Sequence, residues 1–168
     1  IMKKALMILI ITLFLLATVG NVFGEEMAKE GLESGKNYAT GTAKALPMEK
    51  ERLQLNYEGT GIYMSDTEEG FINNASVYVL GALHAVKGVF EESGFMVLTV
   101  PDGDKAFVTY KGSGNLGKDS MGTYTYVGGT GKYTGITGGG EFTRLVLQPA
   151  SKGGWSAISL FKGNWKLP

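Results

Sequence analysis

Beyond residue 50 the chain shows no stretch of helical periodicity, and that absence constrains its fold most. Short runs rich in Val, Ile, Thr, Tyr and Phe recur instead, separated by turn signals. They predict strands near 51–64, 74–87, 94–101, 105–112, 121–128, 138–147 and 155–166. Leu53, Leu55 and Tyr57 alternate with Arg52, Gln54, Asn56 and Glu58, and Tyr124 and Tyr126 alternate with Thr123 and Thr125. Such alternation gives a strand one apolar and one wet face. Pro101-Asp102-Gly103-Asp104, set between two β-rich runs, reads as a tight hairpin. Glycine totals 26 of 168 residues without a strict repeat, which rules out a collagen and suits barrel corners and bulges. Seven or eight consecutive strands with short links make an antiparallel meander, and closing it removes its exposed edges. The expected fold is all-β, a closed antiparallel up-and-down barrel of about eight strands. The runs at 105–112 and 121–128 are too polar for the lipid-facing band of a membrane barrel.

The first two dozen residues read differently. Met2-Lys3-Lys4 is a short cationic start, residues 5–19 are almost wholly apolar, and the small Val22 and Gly24 precede Glu25-Glu26. That is the order of a cleavable signal peptide, residues 1–24, and it implies a periplasmic or secreted protein. Residues 25–49 read as a polar segment with room for one short edge strand, and residues 50–168 as the barrel domain. The stretch 25–35 carries no expected function. Loss of Lys3 and Lys4 takes the balance of 16 basic and 16 acidic residues to 14 against 16. No concentrated basic surface follows, so neither nucleic acid nor, after signal cleavage, a membrane is an expected partner. The chain has no cysteine, which excludes disulfides, thiol catalysis and thiolate metal sites.

Few residues suggest chemistry. His84, the single histidine, shares strand parity with Tyr78, Leu80, Ala82 and Val86 and is expected to face the lumen. It reads either as a general acid or base beside an apolar ligand or as a hydrogen-bonded wall residue. Glu58 continues a wet face, and enters the lumen only if parity slips at Gly59–Gly61. His84 and Glu58 are thus the candidate catalytic residues, with no step assigned to either. Tyr57, Tyr78, His84, Tyr124 and Tyr126 are the candidate ligand-binding set, although aromatic residues also fill small barrels as plain core. One histidine without cysteines or an H-E-x-x-H spacing offers no metal site. Asp102 and Asp104 read as turn residues, and Glu91 and Glu92 as surface charge in a loop. Gly131-Lys132 is followed by Tyr133, which breaks the phosphate-loop pattern, and Thr134 breaks the dinucleotide fingerprint, so no cofactor is expected.

The segment Gly128-Gly129-Thr130-Gly131-Lys132-Tyr133-Thr134-Gly135 resembles the glycine-rich motif of the allene oxide cyclase and dirigent barrel superfamily. The Asp102-Gly103-Asp104 hairpin and the closing Trp165-Lys166-Leu167-Pro168 fit the layout of its small bacterial members. The resemblance covers about residues 50–168 and implies an eight-stranded barrel, often a homotrimer, whose lumen accepts a small apolar molecule. No catalytic position carries over. The expected function is binding of a small apolar ligand, leaning away from an enzyme. The alternatives are an isomerase or cyclase acting on such a molecule, and an interaction module with a filled barrel.

Overall fold

The computed structural model describes residues 28–67, 71–149 and 151–168. Residues 1–24, the expected signal peptide, lie outside the described residues. Eight strands follow in order: β1 (Glu30–Pro47), β2 (Arg52–Ser65), β3 (Ala75–Val86), β4 (Val89–Thr99), β5 (Lys105–Asn115), β6 (Ser120–Gly129), β7 (Thr137–Leu147) and β8 (Gly154–Lys166). Each pairs antiparallel with the next, and β1 pairs with β8 to close the barrel. Outward faces carry Lys36, Lys44, Glu58, Lys111, Glu141 and Lys162 in mid-strand, while Val77, Val79, Met96, Leu98, Val108, Phe142 and Phe161 are buried inside. The barrel is therefore apolar within and charged without.

Two elements differ from the expectation. The segment expected as a polar stretch with one short edge strand holds an 18-residue strand, β1, hydrogen-bonded along both sides. Its inward row is Glu33, Gly35, Asn37, Ala39 and Ala43, too small and polar to read as an apolar face, because tyrosines and phenylalanines of neighbouring strands fill the space in front of it. Strand β4 begins at Val89 instead of near residue 94, which brings Glu91 and Glu92 into the sheet. Lys87 and Gly88, with φ of 54° and 80°, form a two-residue turn between β3 and β4. Two consecutive positive φ values are what such a hairpin requires.

The two ends of the barrel are built differently. At the end where β1 begins and β8 ends, residues 71–72 and the link 130–136 pack inward. Phe71 stacks on Trp165 at 3.8 Å and meets the Tyr133 ring edge-on at 5.1 Å. The Tyr133 hydroxyl donates to the Phe71 carbonyl at 3.0 Å, and Ile72, Ile136 and Leu167 complete a buried plug. The Asp-Gly-Asp hairpin steers this plug: the Lys132 amide donates to Asp104 at 3.0 Å and the Lys132 ammonium to Asp102 at 2.5 Å. That ammonium hydrogen bond holds the Asp102 carboxyl below its ordinary range. Gly131 has a φ of 52°, and a Cβ there would lie 1.9 Å from an Asp104 oxygen, so a side chain would push that carboxylate away from the Lys132 amide. At the opposite end, hairpin turns such as Lys87-Gly88 leave the lumen open. Tyr133→Ala is expected to cost about 3–5 kcal/mol, measured by denaturant unfolding, without loss of the barrel's circular-dichroism signature.

Candidate functional site

Behind the open end lies a cavity of about 250 Å³. Its outer walls are Ala43, Leu55, Leu83, Phe90, Val146 and Trp155, and its deeper part is bounded by Val79, Met96, Phe142 and Phe161. The volume sits just below the ~300–1,000 Å³ of drug-sized sites, and the mostly apolar lining matches their composition.

The polar groups of the lumen are few and deep. Among the described residues the buried polar ones are Glu33, Asn37, Glu92, Ser120 and Ser159, and all of them face inward. Glu92 lies at the cavity floor. Arg144 reaches across to it and forms a close ion pair, with the Glu92 side chain 2% and the Arg144 side chain 20% exposed. The Tyr57 hydroxyl donates to the second Glu92 oxygen at 2.5 Å. Since that spends Tyr57's single O–H, the Tyr110 hydroxyl 2.7 Å away donates to Tyr57 in turn. The Arg144 guanidinium also lies over the Phe142 ring at 5.1 Å, where the face of an aromatic ring attracts a cation.

Deeper, toward the plug, Glu33 accepts three phenolic hydrogen bonds: from Tyr63 at 2.9 Å, Tyr124 at 2.6 Å and Tyr126 at 2.7 Å. Burial, then the charge of Glu33, pushes all three phenols well above the ordinary tyrosine range. Burial does the same to Tyr57, with Tyr110 and Glu92 adding to it, and to Tyr133 with help from Asp102 and Asp104. Tyr110 is pushed up to about 12, burial outweighing the opposing hydrogen bond with Tyr57.

The candidate residues read from the sequence divide between the two faces. Tyr57 lines the cavity, and Tyr124 and Tyr126 are inside but below it, bound to Glu33. Tyr78 and His84 are on the outside: the inward row of β3 is Ala75, Val77, Val79, Gly81, Leu83 and Ala85. The inward row has no polar side chain, whereas the outward row mixes Ser76, Tyr78 and His84 with Leu80, Ala82 and Val86, so the alternation here is weak but favours the observed parity. The lumen chose the smaller row, because a Cβ at Gly81 would already lie 2.4 Å from the Tyr110 hydroxyl and 2.6 Å from that of Tyr57. His84 is exposed and paired across the sheet with Glu91. Glu58 is also outside, accepting from Tyr78 at 3.3 Å. Glu33, Asn37 and Arg144 carry no expectation from the sequence, and Glu92, expected as surface charge in a loop, is a buried strand residue because Arg144 and Tyr57 replace its water. Glu92 was legible only as part of the alternation Phe90, Glu92, Gly94, Met96, which the acidic pair Glu91-Glu92 disguises.

No family model matches this chain, and no curated protein does. Among solved structures it is similar to the pterocarpan synthase dirigent protein GePTS1, at 8% identity and a TM-score of 0.48. The alignment covers 88% of this chain and 100% of that one. The closed barrel itself is established by this chain's own strand pairing.

Two outcomes are expected from this geometry. Arg144→Leu strands Glu92 as an unpaired buried charge and costs about 3–5 kcal/mol, and adding Glu92→Leu restores most of that loss; a denaturant double-mutant cycle measures it. The raised phenols contribute stability that is fully present below the unfolded tyrosine pKa of about 10 and is lost as pH rises through their folded values. In an absorbance titration the six raised tyrosines (Tyr57, Tyr63, Tyr110, Tyr124, Tyr126 and Tyr133) should therefore stay un-ionised past pH ~10 and ionise together with unfolding.

Proposed function

We propose that this chain is an exported barrel that binds one small, mostly apolar molecule in its lumen. The observation that carries the reading is the 250 Å³ cavity, open at one end of the barrel, plugged at the other, and apolar-walled above a polar floor. A filled interaction module would need neither the opening nor the floor. Binding is favoured over catalysis because the polar groups at the cavity floor, Glu92, Arg144, Tyr57 and Tyr110, are already hydrogen-bonded to one another. His84 and Glu58 lie outside and cannot reach a molecule in the lumen. Export rests on the signal-like residues 1–24. A homo-oligomer belongs to the same proposal, since Tyr38, Ile62, Tyr78, Leu80 and Phe95 form an exposed apolar patch on adjoining strands β1 to β4.

Isothermal titration with a monoterpene-sized hydrocarbon tests the reading. Saturable binding with a negative heat-capacity change is expected. Leu83→Trp, which fills the cavity, should abolish it, while Thr123→Trp on the outer wall should not. Equal binding by all three proteins would place the ligand elsewhere and refute a lumen site.

A further inference from the structure

Four inward residues on four neighbouring strands form one polar row across the cavity's deep wall. Ser120 on β6 is opposite Arg144 on β7, Arg144 is opposite Ser159 on β8, and Ser159 is opposite Asn37 on β1. All four line the cavity. Within the row, Arg144 Nε donates to Ser159 Oγ at 3.4 Å, and Arg144 Nη1 is taken by Glu92. Two atoms of the row have no partner in the protein: Asn37 Oδ1 and Ser120 Oγ, on residues each 5% exposed. Among the described residues only one other buried side-chain atom, Trp165 Nε1 in the plug end, shares that condition. Buried polar atoms are nearly always paired, because an unpaired one loses its water for nothing. Here two of the three exceptions face the same cavity.

The charges of the lumen are equally lopsided. Glu33 and Glu92 stand against the single guanidinium of Arg144, which Glu92 already occupies. An anion at the cavity floor would meet the Glu92 carboxylate, with Glu33 beneath it, and no free cation, because the other cation lining the cavity, Lys118, stands in the β5–β6 turn at the mouth.

We infer that the cavity selects an apolar molecule whose inner end bears a neutral hydroxyl, and rejects the carboxylate of the same shape. The inference rests on the lumen-binding reading and names its ligand class. A hydroxyl supplies the donor that Asn37 Oδ1 lacks or pairs with Ser120 Oγ; the two stand three strands apart, so one hydroxyl serves one of them. A carboxylate can only accept, so it leaves Asn37 Oδ1 unpaired and adds an uncompensated charge. Charge rejection and the orphaned acceptor act in the same direction.

Two matched pairs of probes test this: 1-octanol with octanoate, and cyclohexylmethanol with cyclohexanecarboxylate, each titrated at neutral pH by calorimetry. The alcohol of a pair should bind about tenfold tighter than its carboxylate, or better, given the cost of burying an unpaired charge. Glu92→Gln removes one of the two anions and should narrow that preference. Should Glu92→Gln fail to fold, Ser120→Ala and Asn37→Ala serve as milder variants. At least one of them should weaken alcohol binding while leaving n-octane or methylcyclohexane binding unchanged. Equal or tighter carboxylate binding overturns the inference and leaves the lumen site standing. So does an alcohol affinity indifferent to both alanine variants. Binding of none of the alcohols, carboxylates and hydrocarbons overturns the lumen reading itself.

Discussion

Burying carboxylates inside a closed barrel is the demand around which the rest of this structure is arranged. A buried anion is tolerated only with partners that replace its water. This lumen holds two, and it solves them differently. Glu33 is surrounded by three phenolic donors from β2 and β6 with no cation in its hydrogen-bonded set. Glu92 takes a guanidinium from β7 and a phenol from β2. The two solutions lie at different depths and so divide the interior. Around Glu33 the tyrosines pack into a nearly solid layer continuous with the plug. Glu92 and Arg144 form instead the floor of an open space.

The asymmetry of the ends follows from the links between strands. Phe71 and Ile72 from the segment before β3, with Tyr133 and Ile136 from the link 130–136, lie across one mouth, and the Asp104 carboxylate pins that link through a backbone amide. At the other mouth, Leu116 and Lys118 of the β5–β6 link reach the rim of the cavity without closing it. An eight-stranded barrel is only just wide enough to be filled by its own side chains or to hold one small ligand. Here the plugged half does the first. The open half, where β1 presents Ala39 and Ala43 and β8 presents Ala157, leaves room for the second.

What could be read from the sequence, and what could not, divides along the same physical line. Strands β2, β3 and β5 to β8 announce themselves through β-branched and aromatic runs, and their expected limits fall close to the observed ones. Strand β1 stayed hidden because its inward face is small and polar, shaped by large residues far away in the chain. Strand β4 lost its first half because the acidic pair Glu91-Glu92 looks like a loop, and no local signal shows that Arg144, 52 residues on, neutralises the second of them. The same limit applies to the site. Tyr57, Tyr124 and Tyr126 stand on strands with one clear wet face, and they point inward. Tyr78 and His84 stand on the outer face of a strand whose polar residues are few, and the crowding of Gly81 by Tyr57 and Tyr110 adds to its parity. Buried polar networks are long-range objects, and periodicity reads only what is local.

The central claim is that the open half of the lumen exists to hold a small molecule, and native mass spectrometry of the chain purified from its own source tests that most directly. The account predicts a mass excess of one small molecule per chain that disappears on denaturation. A bare chain mass, unchanged after challenge with an extract of lipids and terpenoids, would contradict it.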